Sequence, residues 1–156
     1  RRAGARALGP HAGAGRSMIR EITADEDVRR SFPVMRQLRP HLEEAEYVRR
    51  VAAQRARGYR LAVVEEDGIV RAAAGFRIQE QLVQGRHMYV DDLVTDETER
   101  SKGHGRMLVD WLVALAKAEG CVMFELDSGV HRARAHAFYF SKGMHIASFH
   151  FKMEIR

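Results

Sequence analysis

A strand, a polar glycine-containing turn and a helix follow one another near the middle of the chain, and this succession constrains the fold most. Residues His87–Thr95 alternate apolar and polar side chains as a strand does. Asp96–Gly105 is polar and contains two glycines, so no strand continues through it. Arg106–Glu119 then carries apolar residues at helical spacing. A strand that turns directly into a helix predicts a parallel crossover, and therefore a sheet covered by helices.

The rest of the chain extends this unit to a mixed sheet. Strands are predicted at Met18–Ile22, Tyr59–Glu65, Ile69–Ile78, His87–Thr95, Val122–Leu126, Met144–Ala147 and Phe149–Ile155. Helices are predicted as a unit that breaks near Ser31–Pro33 and ends at Pro40, and at Leu42–Arg57, Arg106–Glu119 and Ala133–Lys142. Turns at Glu66-Asp67-Gly68 and Gln84-Gly85 make the early strands antiparallel. The predicted fold class is α/β (α+β), with a mixed, largely antiparallel central sheet and helices on both faces.

The positive charge of the chain is concentrated at its N-terminus. The net charge is +5, but residues 1–17 hold four arginines and no acid, which leaves 22 basic against 21 acidic side chains from Met18 onward. The Ala/Gly/Arg-rich composition of residues 1–17 predicts a disordered basic tail. We favour a leader or vector-derived segment; a polyanion-binding arm and a targeting peptide are the alternatives. Residues 18–156 are predicted to form one domain whose near-neutral charge does not favour nucleic-acid binding.

Three further features limit the class of protein. Cys121 is the only cysteine, so no disulfide can form within the chain, and a reducing, cytoplasmic compartment is expected. No apolar run approaches the length of a membrane span, so no membrane partner is predicted. The eight histidines show no H-E-x-x-H or other ligand spacing, so no metal site is predicted.

The turn before the central helix has the composition of an anion-binding site. Gly103 and Gly105 let backbone N–H groups converge, and the helix N-terminus adds its positive dipole end. Arg100, Lys102 and Arg106 add positive charge. The spacing fits neither a P-loop nor the G-x-G-x-x-G dinucleotide fingerprint. These residues predict a pyrophosphate cradle, the alternative being an ordinary connection with solvated basic side chains.

Two motifs at compatible spacing carry a resemblance to one superfamily. R-x-x-G-x-G at Arg100–Gly105, after a strand ending in Leu-Val-Thr, resembles the acetyl-CoA loop of the GNAT N-acetyltransferases. Ala135–Tyr139 with Gly143-Met144 resembles the A-x-x-F-Y-x-x-x-G-F signature of that superfamily. The resemblance covers residues 18–156 and implies an acetyl-CoA-dependent enzyme whose fourth and fifth strands are parallel and splay apart. Within the superfamily, the chain looks similar to aminoalkylphosphonate N-acetyltransferases.

The resemblance also assigns cofactor-binding residues. The backbone at the end of the strand would pair with the pantetheine amides, and the amides of the loop would bind the pyrophosphate. The residues assigned in this way are Leu93, Val94, Thr95, Arg100, Ser101, Lys102, Gly103, His104, Gly105 and Arg106. Many relatives carry an asparagine three residues before the Ala of A-x-x-F-Y, and Arg132 at that position departs from the pattern.

Acetyl transfer from a thioester to an amine requires a proton donor for the leaving thiolate. A phenol, with a pKa near 10, gives up a proton to a thiolate at low cost. Tyr139 matches the tyrosine that GNAT enzymes place near the sulfur, so we expect it to be the general acid. The alternative is an aromatic core residue stacked beside Phe138.

An alkylamine is protonated at neutral pH, so the reaction also requires a proton acceptor. Asp91 and Asp92 lie on the strand that would splay, and neighbouring strand residues face opposite sides. We expect Asp92, which alternates with Val90 and Val94, to face the amine, with Glu80 on the preceding strand as the substitute. Asp91 and a water molecule stay open as acceptors, and an ion pair with a nearby arginine is the alternative for the two aspartates.

Recognition of the acceptor is expected to involve Phe76, Ile78, Asp127 and Ser128, because the acids in this set suit a cationic amine. The predicted activity is transfer of an acetyl group to a primary amine of a small molecule by direct attack in a ternary complex. A protein or peptide acetyltransferase and a non-catalytic acyl-CoA-binding module are the alternatives. Enzymes that resemble this chain are often dimers, which implies a homodimer.

Overall fold

The computed structural model of the chain describes residues 17–156, so the predicted basic tail lies outside the described residues except for Ser17. The strands are β1 (Ser17–Ile22), β2 (Arg60–Glu66), β3 (Ile69–Gln81), β4 (Gly85–Thr95) and β5 (Met123–Leu126). The helices are α1 (Asp25–Leu38), α2 (Glu44–Arg55), α3 (His104–Ala118) and α4 (Ala133–Ser141), with a short 3₁₀ turn at Glu97–Glu99. None of the helices in this part of the chain is long and apolar enough to cross a membrane.

The five strands form one sheet in the order β1-β2-β3-β4-β5. Adjacent strands from β1 to β4 are antiparallel, whereas β4 and β5 are parallel because α3 crosses between them. Helices α1 and α2 pack on one face of the sheet with Val63 and Ala73, and α3 packs on the other face with Ala62 and Phe76. The predicted mixed α/β sheet with helices on both faces is confirmed.

The predicted break of the first helix is wrong, because α1 is continuous through Pro33. A proline inside a helix removes one backbone hydrogen bond and crowds the preceding turn. Pro33 lies on the exposed side of α1, where water can satisfy the freed carbonyl group, while Phe32, Val34 and Met35 are buried in the core. Burial of this apolar face therefore outweighs the local preference for a break.

An arginine on β1 joins three elements at the edge of the sheet. The guanidinium of Arg20 donates hydrogen bonds to the Asp27 carboxylate on α1, at 2.7 and 2.8 Å, and to Glu65 on β2, at 2.9 Å. These hydrogen bonds lower the pKa values of Asp27 and Glu65 below their usual 3.8 and 4.5. The three side chains are mostly shielded from water, so the pairs count for more than surface pairs do.

We expect Arg20→Met to destabilise the protein at pH 7 by about 2 kcal/mol, or roughly 4–8 °C in Tm. Because the folded-state pKa values of both acids are lowered, the contribution of Arg20 is present above about pH 5 and is lost as the pH falls through those values. Thermal melts from pH 7 to pH 3 should show the Tm difference shrink. Arg29→Met, which removes an exposed ion pair with Glu26 on α1, is the control. A pH-independent difference for Arg20→Met would contradict this interpretation.

The two C-terminal strands predicted at Met144–Ala147 and Phe149–Ile155 are wrong, because residues 144–156 contain no strand. The alternation of apolar and polar residues is typical of a strand, but a strand also requires a neighbour to pair with. No backbone hydrogen bond joins residues 145–156 to any other described residue. The local preference for a strand is therefore present without a partner within the described chain.

Candidate active site

Strand β4 contains a β-bulge at the position where the two adjacent aspartates lie. Asp92 is opposite Gly75 and Val90 is opposite Phe76, so Asp91 is an extra residue without a counterpart on β3. A bulge shifts the alternation of side chains between the two faces of the sheet.

Without a bulge, Val90, Asp92 and Val94 would share one face of the sheet. The bulge at residue 91 places Val90 and Val94 on opposite faces. Val90 packs into the core on the α3 side, whereas Val94 packs against the core on the side of α1 and α2. Asp92 also contacts the α1 side, through Arg39. Simple alternation along β4 therefore does not hold across residue 91.

Pairing between β4 and β5 ends at Val90 and Leu126, where β5 itself ends, so β4 continues to Thr95 without β5 beside it. A cavity of about 710 Å³ lies along this end of β4. Its walls come from the end of β4, the start of α3 and one side of α4, and the predicted cofactor residues among them are Leu93, Val94, Thr95, Arg100, Ser101, Gly103, His104, Gly105 and Arg106.

The start of α3 is built for close approach of the backbone to a ligand and to β4. Gly103 precedes the helix with φ of 94°, a left-handed conformation that favours glycine, and it lines the cavity. A Cβ atom on Gly105 would lie 2.9 Å from the Thr95 hydroxyl, so glycine lets the first turn of α3 lie against β4. The N–H groups of this turn have no partners within the helix and suit an anion.

Two of the three basic side chains of the loop face the cavity. Arg100 and Arg106 line it, and Arg134 from α4 donates a hydrogen bond of 2.9 Å to Ser101 across its mouth. Lys102 is not among the lining residues, because its ammonium group lies 2.7 Å from Glu99. That hydrogen bond lowers the pKa of Glu99. The positive charge at the cavity therefore comes from arginines.

A second, smaller cavity of about 260 Å³ adjoins the first. Asp127 and Ser128, which were predicted to contact the acceptor, line it, and the Ser128 hydroxyl is buried without a hydrogen-bond partner among the described residues. The residues common to both cavities are Leu38, Leu93, His131, Arg132 and Tyr139. The place where the two cavities meet is therefore lined by one phenol, one guanidinium and one imidazole.

Burial raises the pKa of Tyr139 above its usual value near 10, and the nearby Arg132 guanidinium lowers it in part. The phenol is therefore protonated throughout the neutral range. Tyr139 therefore brings a neutral phenol to the walls of both cavities.

The structure distinguishes the two adjacent aspartates. Asp91 lines the smaller cavity and accepts a hydrogen bond of 3.0 Å from Arg77. Burial raises the pKa of Asp91, and the Arg77 guanidinium lowers it in part. Asp92 lines neither cavity, because one of its oxygens accepts from Arg39 at 2.8 and 2.9 Å and the other accepts from the Tyr59 hydroxyl at 2.9 Å.

Besides Lys102 and Asp92, three further predicted residues line neither cavity. Phe76 is fully buried in the core, edge-on to Trp111. Ile78 packs against the same core, and exposed Glu80 lies opposite Arg86 near the other end of β3. Among residues 17–156, no group of three His, Cys, Asp or Glu side chains is placed to bind a metal ion.

Sequence reasoning missed Arg39 and Tyr59, which hold Asp92, and His131, which lines both cavities. One signal for Tyr59 is Gly75 in the middle of a strand, since a strand glycine often marks a close approach. A Cβ atom there would lie 1.8 Å from the Tyr59 hydroxyl. Arg39 and His131 lie in connections that carry no comparable signal.

The larger cavity is lined by the N-terminus of α3 and by arginines, the smaller cavity is polar, and Tyr139 lines both. A model of the "Acetyltransferase (GNAT) family" matches residues 19–144. The chain therefore belongs to the GNAT acetyltransferase family, and it is an acyltransferase enzyme of the N-acetyltransferase type.

Relatives support the same assignment. The chain is 33% identical over 139 residues to YhdJ, an uncharacterized N-acetyltransferase of Bacillus subtilis (strain 168). The aligned region covers 88% of this chain and 98% of the relative. Glucosamine-6-phosphate N-acetyltransferase from Arabidopsis thaliana superposes with a TM-score of 0.73 at 25% identity, over 90% of this chain and 99% of the other. The aminoglycoside N-acetyltransferase AAC(6')-Iy in complex with CoA superposes with a TM-score of 0.81 at 14% identity, over 96% and 99%, which shows the shared fold.

Proposed function

We propose that this enzyme transfers an acetyl group from acetyl-CoA to a primary amine of a small molecule by direct attack in a ternary complex. The observation that carries the proposal is the position of Tyr139 where the two cavities meet. Acetyl-CoA in the larger cavity and the amine in the smaller one would meet beside Tyr139. The volume of the smaller cavity, about 260 Å³, favours a small amine over a folded protein surface.

The larger cavity suits acetyl-CoA in shape and charge. Its pyrophosphate would bind at the N–H groups that begin α3, beside Arg100 and Arg106. Leu93 and Thr95 lie beyond the last residue of β4 that pairs with β5, so their backbone groups are available to an amide-bearing chain. Arg132 and Arg134 line the opposite wall of this cavity. Arg132 is the residue that stands where many relatives carry an asparagine.

The reaction needs two proton transfers that this chain can supply. The amine nitrogen forms a bond to the thioester carbonyl carbon as the bond from that carbon to sulfur breaks. Backbone N–H groups at the splayed end of β4 polarise the carbonyl group. Tyr139 gives its proton to the departing thiolate, and a carboxylate takes a proton from the amine.

We assign the proton acceptor to Asp91 in preference to Asp92 and Glu80. Asp91 lines the smaller cavity, and a raised pKa makes a carboxylate a better base at neutral pH. The oxygens of Asp92 are occupied by Arg39 and Tyr59, so Asp92 serves to position these side chains.

We expect Asp91→Asn to lower kcat/KM by roughly 100-fold and to remove the rise of the rate with pH. In the wild-type enzyme kcat/KM should rise with pH as Asp91 loses its proton. The variant has no carboxylate at this position, so the acidic side of its pH–rate profile should be flat. Asp92→Asn is the matched control, and it should lower Tm while keeping the acid limb. Profiles of kcat/KM from pH 4.5 to 9 separate the two, and an acid limb lost only in Asp92→Asn would transfer the role to Asp92.

The walls of the smaller cavity carry both signs of charge, with Asp91 and Asp127 on one hand and Arg39 and Arg132 on the other. Asp127 accepts a hydrogen bond of 2.7 Å from Tyr89. The acids suit a cationic amine and the arginines suit an anionic group on the same molecule. The narrower resemblance to aminoalkylphosphonate N-acetyltransferases is consistent with such an acceptor and stays a prediction.

A thiol-release screen tests the proposed activity. The full chain is incubated with acetyl-CoA and with polyamines, aminoglycosides, amino acids or aminophosphonates in turn. We expect amine-dependent release of thiol for at least one small primary amine. Release with peptides alone would favour a peptide acetyltransferase, and no release with any acceptor would favour a non-catalytic acyl-CoA-binding module.

A further inference from the structure

Arg77 on β3 contacts the carboxylate that we assign as the proton acceptor, but it lines neither cavity itself. Its Nε donates a hydrogen bond of 3.0 Å to Oδ2 of Asp91. The two side chains are exposed to only 22% and 27%, so salt and water screen this pair less than a surface pair. Arg77 can therefore act on a substrate only through Asp91.

The guanidinium of Arg77 is held from two further directions. Its Nη2 donates a hydrogen bond to Oε1 of Gln54 on α2. Its Cζ lies 5.4 Å from the centre of the Tyr59 ring, within range of a cation–π contact. Tyr59 is only 3% exposed, and its hydroxyl donates to Asp92. The contacts with α2 and with the residue before β2 therefore keep the guanidinium directed at Asp91.

Asp91 is the extra residue of the β-bulge, and arginines hold both its backbone and its side chain. Nη2 of Arg39 donates a hydrogen bond of 3.1 Å to the Asp91 carbonyl oxygen. Arg77 binds only Oδ2 of the carboxylate, and no residue between 17 and 156 donates a hydrogen bond to Oδ1. A bulge re-aims a side chain relative to regular pairing. One carboxylate oxygen is thus occupied, and the other is available to take a proton.

The ionisation of Asp91 depends on all the groups around it. The charged or titratable residues that face it are Arg77 on β3, Arg39 after α1, Tyr89 and Asp92 on β4, and Asp127, His131, Arg132 and Tyr139 around the smaller cavity. Burial raises the pKa of Asp91, and the charge and hydrogen bond of Arg77 oppose that rise more than any other group does. Asp92 raises the pKa of Asp91 further and Arg39 lowers it, both by less.

We propose that Arg77 is a positioning residue for acetyl transfer, which holds Oδ2 of Asp91 so that Oδ1 receives the proton of the attacking amine. This proposal rests on the proposed role of Asp91 as the proton acceptor. An N–H bond of the amine breaks, the proton binds Oδ1, and the nitrogen keeps the electron pair that attacks the thioester carbon. The Arg77 guanidinium stays charged throughout and extends to lower pH the range in which Asp91 is ionised.

Carbon-13 NMR of the carboxyl groups tests the contact without any substrate. The full chain is labelled with carboxyl-¹³C aspartate, and the Asp91 signal is the one that Asp91→Asn lacks. We expect Arg77→Gln to move the titration of this signal to higher pH by about one unit or more, because it removes the cation beside the carboxylate. An unchanged titration would overturn the proposal.

Arg60→Gln is the matched control. Arg60 also binds carboxylates and also lies over an aromatic ring, 5.1 Å from the centre of Phe76, and it lines neither cavity. This substitution should lower Tm and leave the Asp91 titration in place. A shift of the same size in Arg60→Gln would show that the titration responds to general loosening of the fold and would also overturn the proposal.

The pH dependence of turnover tests the positioning role. With acetyl-CoA and an amine from the thiol-release screen, Arg77→Gln should move the acidic side of the kcat/KM profile to higher pH by the same amount as the NMR titration. Arg77→Lys keeps a charge but loses the planar fork, so kcat should fall roughly tenfold with little change in the KM for acetyl-CoA. This second variant serves if Arg77→Gln fails to fold, and a wild-type kcat in Arg77→Lys would contradict the positioning role.

A double-mutant cycle separates this proposal from the proposed function. In an Asp91→Asn background, Arg77→Gln should cause no further loss of kcat, and an undiminished loss there would give Arg77 a merely structural role. If Asp91→Asn keeps the acidic side of the profile, Asp91 is not the proton acceptor, and both proposals about this carboxylate fail. If Asp91→Asn loses it while Arg77→Gln matches the wild type, only the role of Arg77 fails.

Discussion

We expect Gly103→Trp to weaken acetyl-CoA binding by at least about 100-fold, which corresponds to about 2.7 kcal/mol. Gly103 has φ of 94° and lines the larger cavity immediately before α3. An indole at this position would cover the N–H groups of the first helical turn and displace an anion from them. Isothermal titration calorimetry with acetyl-CoA measures the loss.

Gly120→Trp is the matched control for this variant. Gly120 follows the other end of α3, has φ of 74° and, like Gly103, has no atom within 4 Å of a built Cβ. The two substitutions therefore carry a similar backbone strain, but only Gly103 faces the cavity. Equal affinities of the two variants would place the pyrophosphate elsewhere. Gly105→Trp should also lose binding, because its side chain meets Thr95 as well.

Tyr139→Phe is expected to lower kcat by about 100-fold or more while the Kd for acetyl-CoA changes little. The substitution removes the hydroxyl of a residue that lines both cavities and keeps the aromatic ring that packs beside Phe138. The thiolate would then leave without a proton donor. Since burial raises the pKa of Tyr139, the wild-type rate should not fall from loss of this proton until the pH exceeds about 10.

Tyr47→Phe is the control for loss of a phenol hydroxyl. The Tyr47 hydroxyl forms a hydrogen bond with the Ser31 hydroxyl in the core between α1 and α2, and Tyr47 lines neither cavity. Its removal should lower Tm and leave kcat unchanged. Unchanged turnover in Tyr139→Phe would remove the assignment of the general acid, whereas a parallel loss of acetyl-CoA affinity would indicate a binding role for the hydroxyl.

Sequence patterns predicted the parts of this molecule that depend on local residues. The strand that ends at Thr95, the glycines at 103 and 105, and the helix that follows have backbone requirements that can be read along the chain. The strands of the central sheet were also predictable, because the alternation of apolar and polar residues and the turn residues are local features of the sequence. Local patterns also predicted the helix that carries Tyr139, whereas the role of Tyr139 came from the resemblance to the GNAT signature.

The remaining features depend on partners that are distant in the sequence. Alternation alone cannot locate a bulge, so the orientations of Asp91 and Asp92 required the register of β4 against β3. Phe76 is in the core because α3 covers that face of the sheet, and the C-terminal residues form no strand because no edge pairs with them. Pro33 stays helical because its neighbours are buried.

The stoichiometry of the reaction tests the central claim most directly. The full chain is incubated with acetyl-CoA and an amine identified in the screen, and free thiol and N-acetylated amine are measured together by absorbance and mass spectrometry. The account predicts one N-acetyl product for each thiol released, and no thiol release without the amine. Thiol release without acetylated amine, or no release although acetyl-CoA binds, would contradict it.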